Sequence, residues 1–173
     1  MYLKILGSLL VILGAAAWGA SASGELRKRL EELEYLERII WQINGEMSYT
    51  KAPLGEVFRR VEKRIREPYR SWLAGIRKEM EGRAGLDFGS LWEKRTDRDL
   101  KGTFLKKEDR DELAGLGHQM GYLDVRMQEE TLSWYAGRLA RERQELLAGL
   151  KEEQRILGCL SVAGGIFLVV LFF

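Results

Sequence analysis

The sequence predicts an all-α protein, a cytoplasmic bundle of about six helices flanked by an N-terminal and a C-terminal transmembrane helix. Three observations predict it. Both ends are apolar: "MYLKILGSLLVILGAAAWGA" carries Lys4 alone, and Ile156 to Phe173 carry no charge. Between them, apolar residues recur at steps of three and four, the spacing of one helical face. No alternating strand pattern appears along the 173 residues. The chain therefore divides into an N-terminal span at 1–23, a soluble helical domain at 24–155 and a C-terminal span at 156–173.

Average composition conceals that division. The chain is 46% apolar and 31% charged, yet all 26 acidic residues and 27 of the 28 basic ones fall between Ser23 and Arg155. The middle is thus close to neutral, with the two signs interleaved. A nucleic-acid binder clusters positive charge on one face, so the interleaving argues against that class. Cys159, the single cysteine, lies in the C-terminal apolar run, which excludes an internal disulfide and a thiol-rich metal site.

At about 1.5 Å per residue, Tyr2 to Ala22 would extend roughly 31 Å as a helix and Ile156 to Phe173 roughly 27 Å. Both approach the bilayer's hydrocarbon thickness of about 30 Å. The rival for the first segment is a cleaved signal peptide, since Ala20-Ser21-Ala22 has the small-x-small form and Lys4 can serve as the n-region. The apolar run exceeds a usual h-region, however, and Arg27, Lys28 and Arg29 follow it. Positive charge just after a span holds that side in the cytoplasm, which favours an uncleaved anchor. Two spans put both termini on one side, and Arg27, Lys28, Arg29, Lys151 and Arg155 make the middle cytoplasmic. Ala15 and Gly19, like Ser161 and Gly165, stand four apart and would let span backbones approach closely, although such residues are common in spans.

Leu26, Leu30, Leu33, Leu36, Ile40, Ile43 and Met47 form the first soluble stripe, and no breaker separates it from the first span. One helix should continue from there and stop before Pro53. Pro53 opens "PLGEVFRRVEKRI", with Leu54, Val57, Phe58, Val61 and Ile65 on one side. Pro68 opens "PYRSWLAGIRKEM", with Tyr69, Trp72, Leu73, Ile76 and Met80 inward. Proline suits a first helical position because its missing N–H would lack a partner there. After Gly82, Gly85 and Gly89, a short helix is expected over Ser90 to Thr96 with Leu91 and Trp92 inward. Another starts near Lys107, with acids in its first turn where they favour the dipole, and ends at Gly121. Asp124 caps the last, whose inner stripe is Met127, Thr131, Trp134 or Tyr135, Leu139, Leu146 and Leu150. With no proline after Asp124, this helix should run into the second span.

Chemistry is sparse. His118 is the sole histidine and has neither a cysteine nor a second histidine to share a metal. "GLGHQMG" places Met120 where a dinucleotide loop needs glycine, and no strand precedes it. No phosphate-binding G-x-x-x-x-G-K-[ST] occurs, so the chain is not read as an enzyme. "RRVEKRIREPYR" crowds Arg59, Arg60, Lys63, Arg64, Arg66 and Arg70 among Glu56, Glu62 and Glu67. It reads either as a dock for an acidic protein surface or anionic lipid heads, or as a solvated face with ion pairs Glu56–Arg60 and Glu62–Arg66.

In order and spacing, "LEYLERIIWQINGEMSYTKAPLGEVFRRV", "REPYRSW", "LKKEDRDELAGLGHQMGYLDVRMQEETL" and "LGCLSVAGGIFLVVLFF" closely resemble the stage III sporulation protein AB family. The likeness covers nearly the whole chain and is weakest over 82–102. The family's recurring marks stand as Glu46 and Tyr49 before Pro53-Leu54, as Glu67-Pro68, and as Gly121 with Asp124 and Gln128. The resemblance implies a component of the mother-cell membrane around the forespore, part of a channel between the two cells. It implies a helical domain similar to the cytoplasmic domain of the type II secretion inner-membrane platform protein. The implied partners are the stage III sporulation AA ATPase, other channel components and the lipid bilayer, with no nucleic acid, small-molecule substrate or cofactor. Candidate partner-binding residues are Glu46, Tyr49, Arg59, Arg60, Lys63, Arg64, Glu67, Asp124 and Gln128. Pro68 and Asp124 equally suit helix starts, and Tyr49 a packed corner. An alternative of another class is an envelope-facing structural protein, cleaved after Ala22 and held by its C-terminal anchor alone.

Overall fold

The computed structural model describes residues 24–82, 87–121 and 124–152 in full, and carries the helical backbone of the first helix back to Tyr2 and of the last on to Phe172. Helix α1 runs Tyr2–Thr50 without a break, as the missing prolines and the single stripe require. Leu30, Leu33, Leu36, Ile40, Ile43 and Met47 are buried along it, joined by Ile39. Lys51 ends it in the left-handed region (φ 52°) and donates its N–H to Met47 O at 2.8 Å. That reversal satisfies a free carbonyl at the helix end and turns the chain back on itself.

Helix α2 (Leu54–Val61) then retraces α1, burying Val57, Phe58 and Val61, and tightens into a 3₁₀ turn at Glu62–Arg64. The α-helix stops short of the expected Ile65, which is extended (φ −113°, ψ 156°) yet still buried. Tyr35 Oη on α1 accepts the Arg66 N–H at 2.7 Å, which holds the extended segment against the first helix. Helix α3 (Tyr69–Gly82) follows and buries Tyr69, Trp72, Leu73 and Ile76. Both prolines lie one residue earlier than expected. Pro53 (ψ 150°) and Pro68 precede their helices, and their carbonyls accept the Val57 and Trp72 N–H groups at 3.1 and 3.0 Å. Each is a capping residue, outside the helix that its fixed φ introduces.

Within 82–102, Gly82 ends α3, residues 83–86 lie outside the described residues, and Phe88–Asp99 form α4, followed by a turn. This helix is longer than Ser90 to Thr96 because Asp87 caps it, accepting the Ser90 N–H at 2.9 Å. Leu91 and Trp92 point inward as expected. Helix α5 (Lys107–Met120) starts and ends where the sequence places it, and Asp124 Oδ1 accepts the Met127 N–H at 2.9 Å to open α6 (Val125–Phe172). Among the described residues there is no strand.

The core joins α1 to α2–α6 through one apolar cluster, with Trp72 and Trp92 edge-to-face at 4.7 Å between centroids. Helices α4 and α5 touch closely because Gly117 leaves room for the Trp92 ring, whose Nε1–H donates to Leu113 O at 2.7 Å. The inner stripe of α6 runs through Tyr135, Leu139 and Leu150, as expected, with Met127 left outside it. Tyr135 is buried while Trp134 is 53% and Met127 49% exposed, and Leu132 and Ala136 turn inward. Adjacent aromatics at 134 and 135 leave the phase open, and the flanking helices fix it: Ser133 meets Asn44 on α1 at 2.7 Å, and Arg138 pairs with Glu112 on α5.

Helices α1 and α6 pack antiparallel. Lys51 reaches Glu129 at 2.8 Å near one end, and Arg143 reaches Glu37 at 3.4 Å further along. Gly24 and Glu152 therefore leave the bundle at the same end. Among the described residues no helix is long and apolar enough to cross a membrane. The expected spans in 1–23 and 156–173, with their Ala15/Gly19 and Ser161/Gly165 spacings, lie outside the described residues.

Candidate partner-binding surface

The reversal at Lys51 brings the charge run onto the last turns of α1. Glu46 and Tyr49 from α1, with Glu56, Arg59, Arg60, Lys63 and Arg64 from α2 and its 3₁₀ turn, line a cleft of about 440 Å³. Six of the nine sequence candidates therefore meet in one place. Glu46 sits low in the cleft, its side chain only 16% exposed, and accepts Arg64 Nη1–H at 2.8 Å while facing Arg60 Nη1 at 3.9 Å. Glu56 accepts from Arg59 Nε at 2.7 Å and Arg60 Nε at 3.0 Å. Those two guanidinium hydrogen bonds hold the Glu56 carboxyl down to about 2, so it is charged at any physiological pH. Lys63 is exposed and forms no ion pair among the described residues. Tyr49 is 90% exposed, which corrects the packed-corner reading: the chain turns at Lys51, and Tyr49 projects outward before it does.

Glu56–Arg60 forms as expected, but Glu62–Arg66 does not. The 3₁₀ turn and the extended residue after it destroy the helical i,i+4 relation. Glu62 instead binds Arg77 on α3 at 3.1 Å, while Arg66 stacks over the Tyr35 ring at 4.2 Å and faces Glu32 at 3.3 Å. Of the charge run, Glu62 and Arg66 thus tie helices together, while Glu56, Arg59, Arg60, Lys63 and Arg64 line the cleft.

The other three candidates lie elsewhere and have local duties. Glu67 accepts the Ser71 N–H at 3.1 Å and its hydroxyl at 2.7 Å, bonds that lower its pKa and close the first turn of α3. Asp124 caps α6, and Gln128 Nε2 donates to Met120 O at 2.9 Å, tying α6 to the end of α5.

A buried ionic cluster escaped sequence reasoning. Arg29 donates to Asp109 Oδ2 at 2.9 Å and Oδ1 at 2.5 Å, and to Glu142 Oε1 at 2.5 Å, so one guanidinium joins α1, α5 and α6. Asp109 also accepts the Lys106 N–H at 2.7 Å, combining a helix cap with an ion pair. Arg29 reads in sequence as the third of three membrane-flanking cations, and Asp109 as a first-turn acid. Nothing in local spacing links residues 80 apart. His118 faces Glu93 at 2.9 Å on the exposed side of α4 and α5. Among the described residues no group of His, Cys, Asp and Glu is arranged to hold a metal ion.

The family model for stage III sporulation protein AB matches residues 4–173. A solved structure described as stage III sporulation protein AB aligns with a TM-score of 0.60 at 15% identity, covering 72% of this chain and 97% of that one. At that identity the likeness concerns the fold. No curated protein matches the chain.

Proposed function

The chain belongs to the stage III sporulation protein AB family, and from that premise we propose that it is a non-catalytic membrane platform in a sporulation channel between mother cell and forespore. A role in sporulation comes with the family. The finer reading is that residues 1–23 and 156–173 anchor the protein in the mother-cell membrane around the forespore. The bundle would then stand in the cytoplasm and dock the secretion-type AA ATPase of the same system, beside the other channel components.

One observation carries this reading: α1 and α6 are antiparallel, so both apolar ends depart from one end of the bundle, while the cleft is lined by the last turns of α1, toward the other. A domain held in that way presents its far end to whatever arrives from the same compartment. The cleft's carboxylates are already matched by guanidiniums, which suits docking better than turnover.

Co-purification tests the platform reading. Full-length protein in detergent should capture the cognate ATPase, and no capture at high micromolar concentration would overturn it. The cleaved, envelope-facing alternative is favoured only by Ala20-Ser21-Ala22. Intact mass of membrane-extracted protein separates the two, since retention of residues 1–22 excludes cleavage. Protease added outside intact protoplasts should leave the bundle uncut.

A further inference from the structure

We propose that the cleft between the end of α1 and α2 binds a short acidic segment of a partner protein through its side-chain carboxylates, and that it does not bind lipid headgroups. The sequence leaves those two ligands equal, because both are anionic. The structure separates them by position.

The chemistry of the cleft suits carboxylates. Arg59, Arg60, Lys63 and Arg64 face Glu46 and Glu56, leaving an excess of positive charge in the cleft. The side chains of Arg59, Arg60 and Arg64 are 54%, 45% and 67% exposed, so each keeps N–H donors open to the mouth. A guanidinium carries five donors in a planar fork, and the internal pairs use only part of each set. Glu46, low in the cleft, and Glu56 hold the guanidiniums in place without neutralising all of them. Such preorganised forks favour bidentate carboxylate binding. Tyr49 stands at the rim with an apolar ring and a hydroxyl, as anchoring residues at protein interfaces commonly do.

Height decides against lipid, with the orientation taken from the platform reading. Glu46 lies roughly 35 Å beyond Ser23 along the uninterrupted helix α1, at about 1.5 Å per residue. Even a tilt of about 40° leaves it more than about 25 Å above the point where the apolar segment ends. Charge on the membrane surface is screened within about 8 Å at physiological ionic strength. The headgroups of the membrane that anchors the chain are out of reach, and a protein segment is not.

The test uses the full chain in nanodiscs of zwitterionic lipid. The probe is a fluorescein-labelled peptide of alternating Glu and Ser, compared with its Gln-for-Glu counterpart by anisotropy. The acidic peptide should bind, more tightly at low salt, and the Gln peptide should not. Lys63→Glu should weaken binding about tenfold, because a like charge enters the cleft while no internal ion pair is lost. Lys101→Glu, an exposed change in the turn after α4, should leave binding unaltered. Equal binding of both peptides, or indifference to Lys63→Glu, overturns the proposal. So does capture of the nanodiscs by phosphatidylglycerol vesicles that Lys63→Glu abolishes, which would make the cleft a lipid site. Cognate ATPase is the separate arm. If it is captured while the acidic peptide fails to bind, this inference falls and the platform reading stands. If the peptide binds and the ATPase is not captured, the acidic-segment site stands and the platform reading falls.

Discussion

Arg29 is the residue on which the bundle's interior electrostatics turn. It supplies the guanidinium to two carboxylates, and the Asp109 side chain it meets is 1% exposed. Burying charge is costly unless it is paired, so the pair matters more for what its loss would leave behind than for any gain over an apolar core. Arg29→Met should destabilise the protein by about 3–5 kcal/mol in urea unfolding, and adding Asp109→Leu should restore much of that. Burial and the neighbouring Asp109 charge raise the Glu142 pKa despite the attraction of Arg29. A raised folded value means that Glu142's contribution is fully present below the ordinary carboxylate range and is lost as pH rises through the raised one. Glu142→Gln removes that titration, so the stability of the variant relative to the parent should increase with pH across that window. Denaturant titrations at a series of pH values measure it. Tyr135 offers a simpler test: its hydroxyl is buried without a hydrogen-bond partner among the described residues. Tyr135→Phe should be neutral or stabilise by up to about 1 kcal/mol in the same measurement.

Among the elements, α4 and α5 pack too closely to admit a side chain at Gly117. A methyl group at Gly117 would lie 2.2 Å from Trp92 Cδ1, inside any real separation. Gly117→Ala should therefore cost about 1–3 kcal/mol and disturb tryptophan near-ultraviolet circular dichroism, since Trp92 must move. Several helix boundaries were legible in the sequence because their causes are local: Asp124 is a cap, Pro53 and Pro68 forbid what precedes them, and Gly121 closes α5. The α1 stripe was legible too, since one face repeats for more than five turns. The phase of α6 was legible down to a choice between two adjacent aromatics, which contacts with α1 and α5 settle in favour of Tyr135. The cleft was partly legible. Glu46 and Tyr49 precede a turn and the basic run follows it, but their meeting depends on the left-handed backbone of Lys51, a residue type with no special preference for it. Glu62 shows the limit of i,i+4 reasoning, since its helix ends beneath it and α3 supplies Arg77 instead.

At the scale of the whole molecule, the first and last helices form one packed pair, so the core is incomplete until the chain has nearly all been made. A chain ending at Met120 should retain helical circular dichroism yet unfold without a cooperative transition, because the α1 face that receives Leu132, Tyr135, Ala136 and Leu139 would be uncovered. The shared exit of Gly24 and Glu152 has a mechanical corollary. A globule tethered by one strand swivels freely and passes on only tension. One gripped at two points resists twisting, so under the proposed double anchorage a turning moment applied at its crown would pass to both anchors instead of spinning the domain.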